Sequence, residues 1–120
     1  MSSDRTTPVL PGLDHVNVAA YLAEMARRQP ESLAVAVATG GSRYERLSCA
    51  ELDRSCDRIA HGLERAGIGA GTRTVLMVKP SPEFFALTFA LFKVGAVPVM
   101  VDPGMGRANL GRCLAEAEPE

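Results

Sequence analysis

Apolar and polar positions recur at different rhythms along the chain, and each rhythm predicts its own element. Thr74 to Val78 is an uninterrupted apolar run after one threonine, and Val97 to Val101 repeats that character with Pro98 near its start. Runs of this kind mark strands buried on both faces of a covered sheet. Between them, Ser81 can cap a helix, Pro82 suits its first position because the missing N–H would be unpaired there anyway, and Gly95 can close it in the left-handed conformation. Thr74 to Pro103 therefore predicts strand, helix and strand in succession, one βαβ unit. Within its helix, Phe84 to Phe92 reads FFALTFALF, in which only Thr88 carries a polar side-chain atom. A helix apolar all round leaves no face for water, so it is expected to lie between a sheet on one side and further protein or lipid on the other, with protein favoured because no basic amphipathic flank accompanies it. It is too short to cross a bilayer, which takes about 20 apolar residues.

The flanking chain follows simpler patterns. Met1 to Val16 carries Ser, Thr, Pro and Gly punctuation with little periodicity and is expected to be a flexible lead-in, with residues 17–120 forming the folded portion. Asn17 can cap a helix from Val18 to Gln29, with Val18, Leu22, Met25 and Ala26 on its apolar stripe and Pro30 stopping it. Leu33 to Ala38 predicts a strand, Thr39 to Ser42 a Gly-Gly turn, and Arg43 to Leu47 the returning hairpin partner. Ser48 and Glu51 have the spacing of a capping box, which opens a helix running to about Ala66. Its stripe is Leu52, Cys56, Ile59, Ala60 and Leu63, and Gly67 is placed to terminate it. A last helix is expected from Arg107 to Ala117. The fold class is α/β, with four strands and four helices. A four-stranded set gives little cover to an all-apolar helix, so the segment is expected to be incomplete as it stands.

Composition narrows the function classes. The 120 residues are 47% hydrophobic and 22% charged, with Lys+Arg 13 against Asp+Glu 14 and a net charge of −1. Interspersed, balanced charge argues against a nucleic-acid partner and against a polybasic membrane anchor. Cys49, Cys56 and Cys113 are odd in number and lack CxxC spacing. With no secretory segment at the amino terminus, they point to a cytoplasmic, reducing compartment. Cys49 and Cys56, seven apart on one helix, fit buried packing better than metal ligation, and His15 and His61 supply no ligand pattern.

Two glycine clusters invite a nucleotide reading. Gly67, Gly69 and Gly71 follow a helix and precede a strand, the reverse of the order that a dinucleotide fingerprint requires. Gly104-Met105-Gly106 has the correct strand-to-helix context, but Asn109 stands where that fingerprint wants Gly or Ala, and no acidic residue follows at the required distance. Asp102 and Lys79 sit at the carboxyl ends of their strands, the edge where open α/β sheets bind ligands, and a cap or a solvated charge explains both. The chain has no GxxxxGK[ST] loop, no HExxH and no GxSxG elbow.

Three segments, taken together, resemble the adenylate-forming (AMP-binding) enzymes, the superfamily of acyl-CoA synthetases, peptide-synthetase adenylation domains and luciferases. Leu47-Ser48-Cys49-Ala50-Glu51-Leu52 resembles the first core motif, with Cys49 in place of its usual tyrosine. Gly71 to Val78 followed by Pro80-Ser81-Pro82-Glu83-Phe84 resembles that family's glycine turn, strand and helix start. Phe89 to Val99, closing with Asp102-Pro103, resembles its second core motif, with Met100 replacing a common proline. The resemblance spans Val18 to Ala117.

It implies the amino-terminal part of the large domain of a longer enzyme, which would have the remainder of its own chain as partner. In this family a carboxylate attacks the α-phosphate of ATP with Mg²⁺ present, releasing pyrophosphate and leaving an acyl-adenylate. The phosphate loop, the nucleotide contacts and the catalytic lysine of the family would lie beyond Glu120, so no catalytic, cofactor-binding or metal-binding residue carries over to this segment. Asp102 to Arg107, with Asn109-Leu110-Gly111 and Cys113 to Ala117, looks most like the branch acting in bacterial long-chain olefin biosynthesis. That implies a long-chain β-hydroxy acid closing to a β-lactone. The alternatives are a fatty acyl-CoA ligase, a stand-alone nucleotide-binding module using Gly104 to Gly106, and a non-catalytic interaction domain burying Phe84 to Phe92 against a partner.

Overall fold

The computed structural model describes residues 17–102 and 104–120; the lead-in expected over Met1 to Val16 lies outside them. Eight elements follow in order: α1 (Val18–Arg28), β1 (Leu33–Gly40), β2 (Arg43–Ser48), α2 (Cys49–Arg65), β3 (Arg73–Leu76), α3 (Pro82–Lys93), β4 (Val97–Met100) and α4 (Arg107–Ala117). β1 and β2 pair antiparallel, and β3 and β4 pair parallel as a separate two-stranded sheet, joined through α3. The expected α/β class and βαβ unit are therefore present.

Each helix begins and ends as local chemistry dictates. The Ser48 hydroxyl accepts from the Glu51 N–H at 3.1 Å while the Glu51 carboxylate accepts from the Ser48 N–H at 2.9 Å, which completes the capping box of α2. The Ser81 hydroxyl accepts from the Phe84 N–H at 3.2 Å at the start of α3. Asn17 caps α1 through its carbonyl, and its Nδ2 donates to the Phe92 carbonyl at 2.9 Å, fastening the start of α1 to the end of α3. Both α2 and α3 end in Schellman turns. Ile68 N–H donates to Leu63 O and Ala96 N–H to Leu91 O, with Gly67 and Gly95 at φ +88° and +77°.

The all-round apolarity of α3 has its explanation inside the chain. Ala86, Phe85 and Phe89 join Leu22, Leu52 and Cys56, with Val35 and Leu47 of the hairpin packed against them. Phe84, Leu87 and Leu91 join Leu76, Ala96, Leu63 and Ile68 in a second cluster. One helix thus serves two cores on different faces. The further protein expected on its second side is supplied by α1, α2 and the hairpin, and no residue from Phe84 to Phe92 is fully exposed.

The strand expectations need correction. β3 and β4 are four residues each and are not covered on both faces: Val97 and Met100 of β4 are 46% and 55% exposed, and Met77, just past the end of β3, is 41% exposed. A ladder two strands wide is too narrow to shelter every apolar side chain it carries. Val18, expected on the buried stripe of α1, is 51% exposed, and Ala19 joins Leu22 in the core instead.

Candidate functional site

The carboxyl edge of the parallel sheet is where an α/β fold would place a ligand. Lys79 is exposed there, three residues beyond the end of β3, and Asp102 follows β4. Asp102 Oδ1 accepts from the Gly104 N–H at 2.9 Å, and the Met105 N–H donates to the Asp102 carbonyl at 3.2 Å. The amide that a bound phosphate would use is therefore already taken by a carboxylate, whose charge would repel an anion. Gly106 (φ +85°) begins α4 without a side-chain cap. The arrangement fits a strand-to-helix connection and disfavours a pyrophosphate cradle at Gly104 to Gly106.

The two core motifs hold structure together in this segment. Leu47 to Leu52 contributes the capping box and two buried core residues, Cys49 and Leu52. Phe89 to Val99 contributes the end of α3, its Schellman turn and most of β4. In this turn a Cβ on Gly95 would stand 3.4 Å from Ala70 Cα. The N–H of Gly71 donates to the Gly95 carbonyl at 2.9 Å, so the turns before β3 and before β4 lock together.

One polar cluster escaped the sequence reading. Lys93 Nζ donates to Asp53 Oδ1 at 2.6 Å and to Asp57 Oδ1 at 2.5 Å, joining the end of α3 to α2. Burial alone would pull the Lys93 ammonium down, but the bonds to Asp53 and Asp57 outweigh it and hold the group above its ordinary value. The only signal in the sequence was the i, i+4 spacing of Asp53 and Asp57, which names no partner. Beside them Cys56 has no exposed surface, and burial pushes its thiol up to about 11. All three cysteines are unpaired; Cys49 and Cys56 are buried and Cys113 is exposed. His61 is exposed on α2.

Two hollows open on the surface of the described residues. One, of about 330 Å³, is apolar and lies between α1, β1, α2 and α3, with Tyr21, Met25, Leu52, Phe85 and Phe89 in its wall. The other, of about 270 Å³, is lined by Glu45, Ser55, Arg58 and Glu83 among others. Among the described residues no group of three or more His, Cys, Asp or Glu side chains could hold a metal ion. No described helix is long and apolar enough to cross a membrane.

An α/β segment whose two core motifs cap, turn and pack its helices is what these features define. The family model of the AMP-binding enzymes matches residues 22–120, and the chain belongs to that family. It is 52% identical over 110 residues to an olefin beta-lactone synthetase of Xanthomonas campestris pv. campestris, covering 87% of this chain and 20% of that protein. It is 43% identical over 94 residues to a salicyl-AMP ligase / salicyl-S-ArCP synthetase of Mycobacterium tuberculosis, covering 78% and 17%. Among solved structures, the N-terminal subdomain of NpsA from Klebsiella oxytoca superposes with a TM-score of 0.77 at 24% identity, covering 87% of this chain and 26% of that one. That likeness establishes the fold. The chain spans about a fifth of the length of the olefin beta-lactone synthetases it matches.

Proposed function

We propose that this chain is the amino-terminal scaffold of an enzyme that activates a carboxylic acid by adenylation, and that the acid is a long-chain β-hydroxy acid that closes to a β-lactone. The observation that carries this reading is the 52% identity over 110 residues to an olefin beta-lactone synthetase. In the proposed reaction a carboxylate oxygen bonds to the α-phosphorus of ATP, and the bond from that phosphorus to the pyrophosphate oxygen breaks. The carbonyl carbon then carries AMP as leaving group. The β-hydroxyl oxygen bonds to that carbon, AMP departs, and the hydroxyl proton passes to solvent. ATP and Mg²⁺ would be held by residues outside this segment. Residues 17–120 contribute rigidity: a capped α2, two locked Schellman turns and a crossover helix with both faces occupied. The three unpaired thiols support a reducing, cytoplasmic location.

The test is an ATP–pyrophosphate exchange assay on the full-length protein with Mg²⁺ and a long-chain β-hydroxy acid, followed by mass spectrometry of the product without CoA. Exchange and a β-lactone are expected, and residues 1–120 by themselves should give neither. Absence of exchange with every acid offered would overturn adenylation. Exchange without a lactone, with a thioester formed once CoA is added, would favour a fatty acyl-CoA ligase. Exchange by residues 1–120 would overturn the scaffold role.

A further inference from the structure

The apolar pattern of α3 does not say which way round the helix should lie. A helix takes its orientation by turning an apolar stripe inward and a polar one outward, and Phe84 to Phe92 has no polar stripe to turn. Thr88 gives no direction either, since its hydroxyl donates at 2.7 Å to the Phe84 carbonyl of the same helix. Phe85, Ala86 and Phe89 face one core. Rotation by one residue would offer that core Ala86, Leu87 and Ala90 instead, again without a polar atom. Cores held by apolar contacts alone lose a unique arrangement before they lose stability. The short connections to β3 and β4 restrain sliding along the axis and leave rotation about it.

Among the described residues, Asn17 and Lys93 make the side-chain hydrogen bonds that tie α3 to other helices. Asn17 Nδ2 donates to the Phe92 carbonyl, but a carbonyl recurs at every residue and a rotated helix can offer another. Lys93 carries the only ammonium on α3, and its Nζ donates to Asp53 Oδ1 and Asp57 Oδ1, carboxylates one turn apart on α2. The Lys93 and Asp53 side chains are 16% and 19% exposed, so salt screens the pair weakly. Rotating α3 by one residue would swing the ammonium about 100° away. Asp53 would then be left largely buried without its partner, which is costly. A single polar residue at an apolar seam selects register in this way, with specificity rather than stability as the gain. We propose that Lys93, with Asp53 and Asp57, is the positioning element that selects one rotation of α3 against α2 and so assigns Phe84 and Phe85 to their separate cores. Lys93 lies in the second core motif and Asp53 directly follows the first, so the same bridge sets the two motifs relative to each other. This reading is independent of the proposed chemistry.

The test is methyl NMR of the full-length protein, read at Ala86, Leu87, Ala90 and Leu91. The wild type should show one set of signals. The neutral variant Lys93→Met, Asp53→Asn, Asp57→Asn should keep its far-ultraviolet circular dichroism and nearly its urea midpoint, yet show two or more sets. Reversing all three charges, with Lys93→Glu, Asp53→Lys and Asp57→Lys, should restore the single set. One set of signals in the neutral variant would overturn the proposal, and so would several sets in the reversed one. A neutral variant that loses its fold outright would make the bridge a stabilising contact and would overturn the positioning role as well.

Discussion

Cys56 and Lys93 stand side by side in the packing of α2 against α3, and their protons respond to burial in different ways. For the thiol, burial is the dominant influence, only partly offset by the Lys93 ammonium, and the pKa rises from 9.0 to about 11. For Lys93, hydrogen bonds to two carboxylates overcome burial, and the pKa is also raised. In both cases the folded state holds the proton more tightly than the unfolded chain. For Cys56 the stabilisation is therefore complete below about pH 9 and is lost as the pH climbs towards 11, whereas for Lys93 it is complete up to its ordinary value of 10.5 and is lost only above that. At about 1.4 kcal/mol per unit, ionisation of Cys56 accounts for roughly 2–3 kcal/mol across that window. The urea midpoint should fall between pH 8.5 and pH 11, and the fall should be shallower in Cys56→Ala, with a residue of slope left by Lys93. An equal slope in the variant would mean that Cys56 does not ionise in that range. The burial of Cys49 and Cys56 was legible from their spacing on one helix. The Lys93 bridge was not, because its partners lie 40 and 36 residues away in the chain.

At the scale of elements, the two Schellman turns do the same job with different tolerances. Gly67 and Gly95 both have positive φ, where a Cβ costs about 1–2 kcal/mol. A Cβ at Gly67 meets nothing within 4 Å, whereas one at Gly95 meets Ala70 Cα at 3.4 Å and Ala70 Cβ at 3.6 Å. Gly67→Ala should therefore lose only the conformational term of about 1–2 kcal/mol, and Gly95→Ala should lose measurably more, read as urea midpoints at constant slope. Equal losses would show that Ala70 yields freely. Helix borders were visible in the sequence because caps and terminators act over three or four residues. Strand extents were not, since Thr74 to Val78 reads as a buried strand, yet the ladder stops at Leu76, where pairing with Met100 ends.

Across the whole molecule, α3 couples two cores. Leu52, 2% exposed, belongs to the cluster with Leu22, Cys56 and Ala86, and Leu91, 1% exposed, to the cluster with Leu76 and Ala96. Leu52→Ala and Leu91→Ala should each cost about 2–5 kcal/mol. Because both clusters share one helix, each variant should lower a single unfolding transition followed by circular dichroism. Two separable transitions would show that the clusters unfold independently.

The sequence by itself determined the helices, their caps, the hairpin, the βαβ order and the family, because those features rest on local dihedral preferences, on periodicity and on motifs a few residues long. Asn17, Ser48, Ser81, Gly67 and Gly95 act as their residue types dictate. The tertiary structure decided what covers the apolar helix, which strand residues stay exposed, and which charges meet. Phe84 and Phe85 are adjacent in the chain yet serve different cores, and Lys93 finds its carboxylates on another helix. Such pairings depend on how elements pack across tens of residues, and no local pattern carries that distance.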